Sequence, residues 1–424
     1  MYLSFVRLRG LPRRSAIGRA AAALLLAGSV SAQAADAPSF ADLLRQAQNS
    51  APQLLEQSAN VRAAKADARQ AGAWLNPTLS AMAENLGAPT SGGVSQRQDT
   101  YTLTQSFELG GKRAARVEVE ERKAIAAGVR ERQLRLAYAN ELAVSYATAE
   151  AMQQRRELAD ADLSRAEDDL RAAQALVQSG REASLRLAQA RASAATASAA
   201  RQQAAANASE ALERLSALAG ANESFARIVH PFLFNATQTG ADGSWSSAEA
   251  PALASAAAER DALAAQVQSE QKRWLPDLEV SVGVRKFAWS SDKATTVGIS
   301  ANIPLFDRNR AGIDAARERA NSAAQRMEAV RLEAQAAHRS ALAQVQASAL
   351  RLQAAEQGEA AAGEAYRLGR VGYDSGKTAL LELLAIRRAL NEAQALTIEA
   401  RLARVRALAA LSMATGHNVF GETR

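Results

Sequence analysis

Two kinds of hydrophobic spacing alternate along this chain, and the alternation occurs twice. Over residues 38–73, Leu43, Leu44, Leu54, Leu55 and Val61 recur among many alanines, which predicts a helix. Asn76-Pro77 ends it, because proline cannot continue the helical hydrogen-bond ladder. The period then becomes two. Tyr101, Leu103 and Phe107 fall on one side, and Thr100, Thr102, Thr104 and Ser106 on the other, which predicts a strand at about 99–107. Residues 78–86 alternate less cleanly and are read as its partner, across a Gly-, Ser-, Pro- and Gln-rich loop at 87–98.

Helical spacing returns at 112–177 with no internal proline, a length of about 100 Å at ~1.5 Å per residue. Its far end repeats in sevens, with Leu163, Leu170 and Val177 at one position and Ala159, Ala166 and Ala173 at another. That is a coiled-coil seam whose small residues permit close approach. Ser179-Gly180-Arg181 breaks it, and a second helix returns to Ala219.

The second half restarts the same order. A helix from about Ala250 ends at Trp274-Leu275-Pro276, echoing Trp74-Leu75-Asn76-Pro77. Leu278, Val280, Val282 and Val284 alternate with polar or small residues, as do Val297, Ile299, Ala301 and Ile303, predicting strands at about 278–288 and 295–303. A long helix at 311–372 turns at Ser375-Gly376-Lys377 and returns to about Ala414. Landmarks recurring in one order at offsets near two hundred predict an internal duplication. The expected organisation is a first repeat at 35–219 with its helical turn at 179–183, and an irregular inter-repeat segment at 220–248. A second repeat at 249–415 has its turn at 373–378, and a tail occupies 416–424.

Composition narrows the class. Alanine dominates, aromatics make up 4%, and charges of both signs are interspersed, as in long paired helices without an aromatic core. The formal charge of +7 suggests nucleic acid until residues 1–34 are inspected. They hold Arg7, Arg9, Arg13, Arg14 and Arg19, a short apolar run at 20–27 and an Ala-x-Ala site ending at Ala34, the pattern of an export signal. Loss of five arginines and no acids takes the charge from +7 to +2, so nucleic-acid binding is not expected. The sequence has no cysteine, which excludes disulfides, thiolate metal sites and a lipid-anchor Cys. No later stretch is apolar enough for a membrane-spanning helix.

Strands of nine or ten residues match the length of tilted membrane strands. Apolar residues alternating with small polar ones suit a lipid face and a wet lumen. Two hairpins on a soluble core are the alternative for the alternation alone. Four strands cannot close a barrel, so a membrane reading requires an oligomer.

The signal segment and the doubled helix–hairpin–helix resemble the TolC-type outer-membrane efflux proteins over essentially the whole chain after residue 34. So do the strand exits Gly111-Lys112-Arg113 and Pro304-Leu305-Phe306-Asp307-Arg308, and the paired Ser-Gly-basic turns. The resemblance implies a mainly α fold with a membrane β-barrel. Three copies would form a 12-stranded barrel continuous with a long α-helical barrel. The string Phe107-Glu108-Leu109-Gly110-Gly111-Lys112-Arg113 is most similar to outer-membrane components of cobalt–zinc–cadmium-type heavy-metal RND efflux systems. The implied function is a passive exit duct in the outer membrane. Its implied partners are two further copies, a periplasmic membrane-fusion adaptor and an inner-membrane RND transporter. A duct for drugs or for type I protein secretion, or a soluble periplasmic coiled-coil scaffold, are the competing expectations.

No catalytic residue, cofactor site or metal site is expected. The histidines, His230, His338 and His417, stand apart, and no nucleophile, phosphate-loop or metal-ligand motif occurs. Asp168-Asp169 is read as a solvated helix face. By resemblance, Tyr373, Glu382 and Arg186 are candidates for a periplasmic gate, with Ala385 and Arg186 departing from TolC's acidic pattern. Gly180, Arg181, Gly376 and Lys377 are candidate adaptor contacts, and helix capping explains the same glycines and bases equally well.

Overall fold

A computed structural model describes residues 35–87, 92–221, 223–238 and 246–421. The export signal lies outside them, as do residues 88–91 of the first hairpin loop and 239–245 of the inter-repeat segment. The first half contains α1 (Phe40–Ser50), α2 (Pro52–Ala71), β1 (Thr78–Glu84), β2 (Gln98–Glu108), α3 (Lys112–Gln178) and α4 (Ser184–Ala219). The second contains α5 (Leu233–Thr237), α6 (Pro251–Lys272), β3 (Asp277–Phe287), β4 (Lys293–Ala301), α7 (Arg310–Asp374) and α8 (Leu380–Thr415).

Local chemistry sets several boundaries. The single helix expected at 38–73 is two, because Pro52 starts a new one and Ala51 takes an extended conformation before it. Strand β1 stops at Glu84 rather than at 86, since Asn85 enters the left-handed region at φ 57°. Helices α3 and α7 both begin after a left-handed residue, Gly111 and Asn309 respectively.

The four strands form one antiparallel sheet in the order β1-β2-β3-β4. One face carries Leu79, Tyr101, Leu103, Val280, Val282, Val297 and Ile299 in register, and the other carries mainly Ser, Thr and Gly. The apolar face is the exposed one: Leu79, Val297 and Ile299 are 76%, 72% and 73% accessible. On the opposite face Thr100 and Gly283 are buried, and a Cβ on Gly283 would crowd the Thr296 and Thr102 hydroxyls. A soluble sheet does the reverse, so this arrangement suits lipid outside and water inside.

Below the sheet, α2, α3, α6 and α7 pack side by side in the same order as the strands. Further down, α3 pairs with α4 and α7 with α8. In the first pair Ala166, Ala194 and Ala197 are buried with Leu163 and Leu170 against them. Ala173 is also buried, whereas Ala159 and Val177 are only half-buried.

Midway along the helices lies a core that composition did not announce. Phe40, Tyr146, Phe232 and Phe420 form an aromatic cluster, with ring centroids 4.5 Å apart for Phe40 and Phe232. It gathers a little of the chain's aromatic content from four distant segments, overturning the expectation of no aromatic core. The inter-repeat segment around Phe232 is pinned there. Glu150 Oε2 accepts from the N–H groups of Phe232 and Leu233, at 2.8 and 2.7 Å, opening α5. Residues 416–421 are pinned as well, since Phe420 joins the cluster. Burial, with Glu141 and Glu150 nearby, pushes the Tyr138 and Tyr146 phenols up to about 12. Both stay protonated and donate to carbonyls, Tyr138 to Leu218 at 2.6 Å and Tyr146 to Pro38 at 3.0 Å.

Candidate functional site

Three regions carry functional geometry: the strand exit, the polar sheet face and the helical tips. At the exit, most residues of the motif at 107–113 make a specific contact. Phe107 meets Trp74 edge-on at 6.4 Å, and Glu108 forms an ion pair with Arg116. Gly110, at φ +66°, leaves space that Leu275 occupies, and a Cβ there would overlap the leucine methyl. Lys112 Nζ lies 2.9 Å from Asp277 Oδ1, joining the first half to the second. Arg113 stacks on Trp74 at 4.8 Å and donates Nε to the Gly72 carbonyl at 2.7 Å. The motif is thus a joint between the two hairpins and their helices.

On the polar sheet face, most acids have cations. Glu84 lies 3.8 Å from Arg285, Glu108 meets Arg116, and Asp277 meets Lys112. Glu279 instead accepts from the Ser106 and Ser300 hydroxyls at 3.3 and 3.2 Å. Among the described residues no group of three or more His, Cys, Asp or Glu side chains is placed to hold a metal ion. Nor, among them, is any helix long and apolar enough to cross a membrane.

The tips are two matching turns. After α3, the Gly180 N–H donates to the Val177 carbonyl and the Arg181 N–H to Leu176, with Gly180 at φ +69°. After α7, the Gly376 N–H donates to Tyr373 and the Lys377 N–H to Gly372, with Gly376 at φ +74°. Both are Schellman caps, which account for the glycines on local grounds. Arg181, Gly376 and Lys377 are exposed, and Tyr373 is half-buried. Arg186 lies 3.5 Å from Glu182 in the turn just before its own helix, and Glu382 sits exposed in the first turn of α8. Among the described residues no hydrogen bond or ion pair joins Tyr373, Glu382 and Arg186 to one another. Leu185 and Leu381 project at corresponding places, each 65% accessible.

About two turns above the tip is a cluster that sequence reasoning missed. Arg387 is buried, with its Nη1 on Asp169, its Nε 3.4 Å from Asp162 and its Nη2 3.2 Å from the Ser193 hydroxyl. It ties α8 of the second half to α3 and α4 of the first. Asp169 is therefore no solvated residue. Only Asp168 is, paired at the surface with Arg171. Burial raises the Asp169 carboxyl above its usual range, against the pull of Arg387 and Arg370. The available signal was Arg387's place on the apolar stripe of Leu383, Leu384 and Leu390, all buried.

A sheet with its apolar face outward on helices about 100 Å long fits an outer-membrane channel. The chain belongs to the outer membrane efflux protein family, whose model matches residues 43–221 and 245–417. These are transport proteins rather than enzymes. It is 54% identical over 402 residues to the nickel-cobalt-cadmium resistance protein NccC of Alcaligenes xylosoxydans xylosoxydans, covering 95% of this chain and 92% of that one. It is also 54% identical over 392 residues to the nickel and cobalt resistance protein CnrC of Cupriavidus metallidurans, covering 92% and 93%. Its fold is similar to that of the transmembrane channel CusC, with a TM-score of 0.73 or better against several such channels and 0.77 against CusC, at 19% identity over 89% of this chain and 92% of that one.

Proposed function

We propose that this chain, exported by its N-terminal signal, is the outer-membrane exit duct of a tripartite RND-type pump and passes divalent heavy-metal cations such as nickel, cobalt and cadmium. The observation that carries this reading is the sheet. Its apolar face is exposed, its polar face carries the buried Thr100 and Gly283, and among the described residues both edges, β1 and β4, are unpaired. Open edges are untenable in lipid, so three copies closing a 12-stranded barrel satisfy them. The α2-α3-α6-α7 layer continues the barrel as an α-helical tunnel. The metal assignment rests on the likeness to NccC and CnrC.

In this reading the tips meet the periplasmic adaptor through Gly180, Arg181, Gly376 and Lys377, with the exposed Leu185 and Leu381 beside them. Tyr373, Glu382 and Arg186 form the gate, and Glu382 contributes one carboxylate per copy to a ring at the entrance. The duct has no energy source of its own, and the inner-membrane transporter supplies it. The test is deletion of the gene followed by growth on graded nickel, cobalt and cadmium. Sensitisation reversed by the plasmid-borne gene is expected. Unchanged tolerance of all three metals would overturn the metal assignment, and sensitisation to drugs alone would redirect it.

A further inference from the structure

The chain contains a worked example of how its own hairpins join. Glu108 stands three residues before the left-handed cap Gly111, and it pairs with Asp277, the first residue after Pro276. The remaining strand ends carry the same landmarks. Phe306 stands three residues before the left-handed cap Asn309, and Thr78 is the first residue after Pro77. Strand β4 stops at Ala301, where β3 runs out of partners, leaving 302–306 as an overhang beyond the sheet. Strand β2 has the matching overhang: residues 105–108 run past the end of β1 and pair only with β3.

Resting on the exit-duct reading, we propose that the seam between copies repeats this internal seam. Strand β4 of one copy lies antiparallel to β1 of the next, with Phe306 opposite Thr78, Leu305 opposite Leu79, Ile303 opposite Ala81 and Ala301 opposite Ala83. The register satisfies the faces. Ala301 lies on the exposed apolar side, as do Leu79, Ala81 and Ala83, and Ile303 and Leu305 beyond it are 67% and 64% accessible. A slip of one residue would put that row against Ser80, Met82 and Glu84. Phe306, wholly exposed, then falls on the face where Leu75, Ser106 and Glu108 line a cavity of about 850 Å³ beneath Trp74. Glu118 and Glu121 also line that cavity, and Arg308 and Arg310 follow Phe306 without an ion pair among the described residues. The occupant of the cavity is therefore the β4–α7 connection of the neighbouring copy.

Two differences separate the seams. Residues 105–108 are paired strand, whereas 302–306 bend at 305–306, with the Leu305 N–H on the Ile303 carbonyl, and would straighten on pairing. The internal seam also seats Leu275 on Gly110, whereas the corresponding position between copies is Arg308, whose Cβ blocks such a seat. The first repeat compensates with an extra residue, Asn76, between Leu75 and Pro77.

The cysteine-free sequence makes the test direct. Opposed strand residues lie within disulfide reach, and residues two positions off register lie about 7–8 Å apart, beyond it. Oxidation of outer membranes carrying Ala83→Cys with Ala301→Cys, or Ala81→Cys with Ile303→Cys, should give a ladder ending at a covalent trimer. Ala81→Cys with Ala301→Cys should give none. Phe306→Ala should lower the temperature at which the trimer dissociates in detergent, and Phe306→Leu should restore most of it. A parent trimer that neither matched pair cross-links, or that the offset pair cross-links better, overturns the register. A parent chain that forms no trimer overturns the exit-duct reading itself, and the seam with it.

Discussion

Arg387 offers the sharpest test of what holds the tips of the two halves together. Its side chain is 5% accessible and faces Asp169 and Asp162, whose side chains are 15% and 26% accessible. Removing one member of a buried ion cluster costs about 3–5 kcal/mol, because the remaining charges stay desolvated without a partner. Asp162 keeps some solvent, which places Arg387→Met near the lower end, about 3 kcal/mol. At about 1.4 kcal/mol per decade this is roughly a hundredfold change in local opening. Amide hydrogen exchange on the detergent-solubilised protein reads it. Peptides covering 155–200 and 380–400 should exchange about a hundredfold faster, while those around the Phe40–Tyr146 core stay protected. Adding Asp162→Asn and Asp169→Asn should return most of the protection, since no unpaired charge remains. Asp169→Asn alone should cost part of that protection, because the buried Arg387 keeps only Asp162 as a charged partner. Less than threefold faster exchange at the tip in Arg387→Met would refute the cluster as the clasp between the halves.

Three further outcomes follow from the same coordinates. Burial raises the Glu150 carboxyl, against two backbone N–H donors, so its ionised form weakens the fold and the contribution is present below about pH 4 and lost as pH rises through the raised value. Glu150→Gln should therefore melt higher relative to the parent at pH 8 than at pH 4, and Glu150→Ala should lose about 1–3 kcal/mol by orphaning the Phe232 and Leu233 amides; a pH-independent difference would contradict the first. Glu279→Gln should lower the cation-to-anion permeability ratio of the duct in planar bilayers, because the neighbouring acids on that face are ion-paired; an unchanged reversal potential refutes this. Gly376→Ala should destabilise the tip by about 1–2 kcal/mol through left-handed strain alone, no atom lying within 4 Å of the added methyl, and a neutral melting temperature would contradict that.

Local periodicity made the strands and long helices legible. Period-two runs such as Leu278 to Val284 place every side chain on a face, and a turn such as Ser179-Gly180-Arg181 needs only its own residues to cap a helix. What periodicity could not show is long-range. Phe40, Tyr146, Phe232 and Phe420 meet although no local pattern links them, and a 4% aromatic content argued against their meeting at all. Asp169 looks like any acid on a charged helix until Arg387, more than two hundred residues later, arrives against it. The gate candidates were legible only through family likeness. Among the described residues nothing joins them to one another, and a single chain's sequence carries no local pattern for contacts between copies.

The scarcity of metal-binding chemistry fits a duct for metal ions better than a rich supply would. Soft thiolates and imidazoles hold transition metals tightly, and this sequence has no cysteine and three separated histidines. Conduction needs sites favourable enough to enter and weak enough to leave. A face of serine and threonine hydroxyls with a single hydroxyl-held carboxylate per copy, Glu279, meets that condition. Three such carboxylates would bias the lumen toward cations through their summed field without assembling a coordination sphere. In the proposed pump, selection among metals then falls to the transporter that loads the duct. Exchanging this chain for a relative whose own pump carries a different metal should therefore preserve the resistance pattern set by the transporter, provided the adaptor accepts the tips; a pattern that followed the duct would place selectivity in this chain and contradict the passive reading.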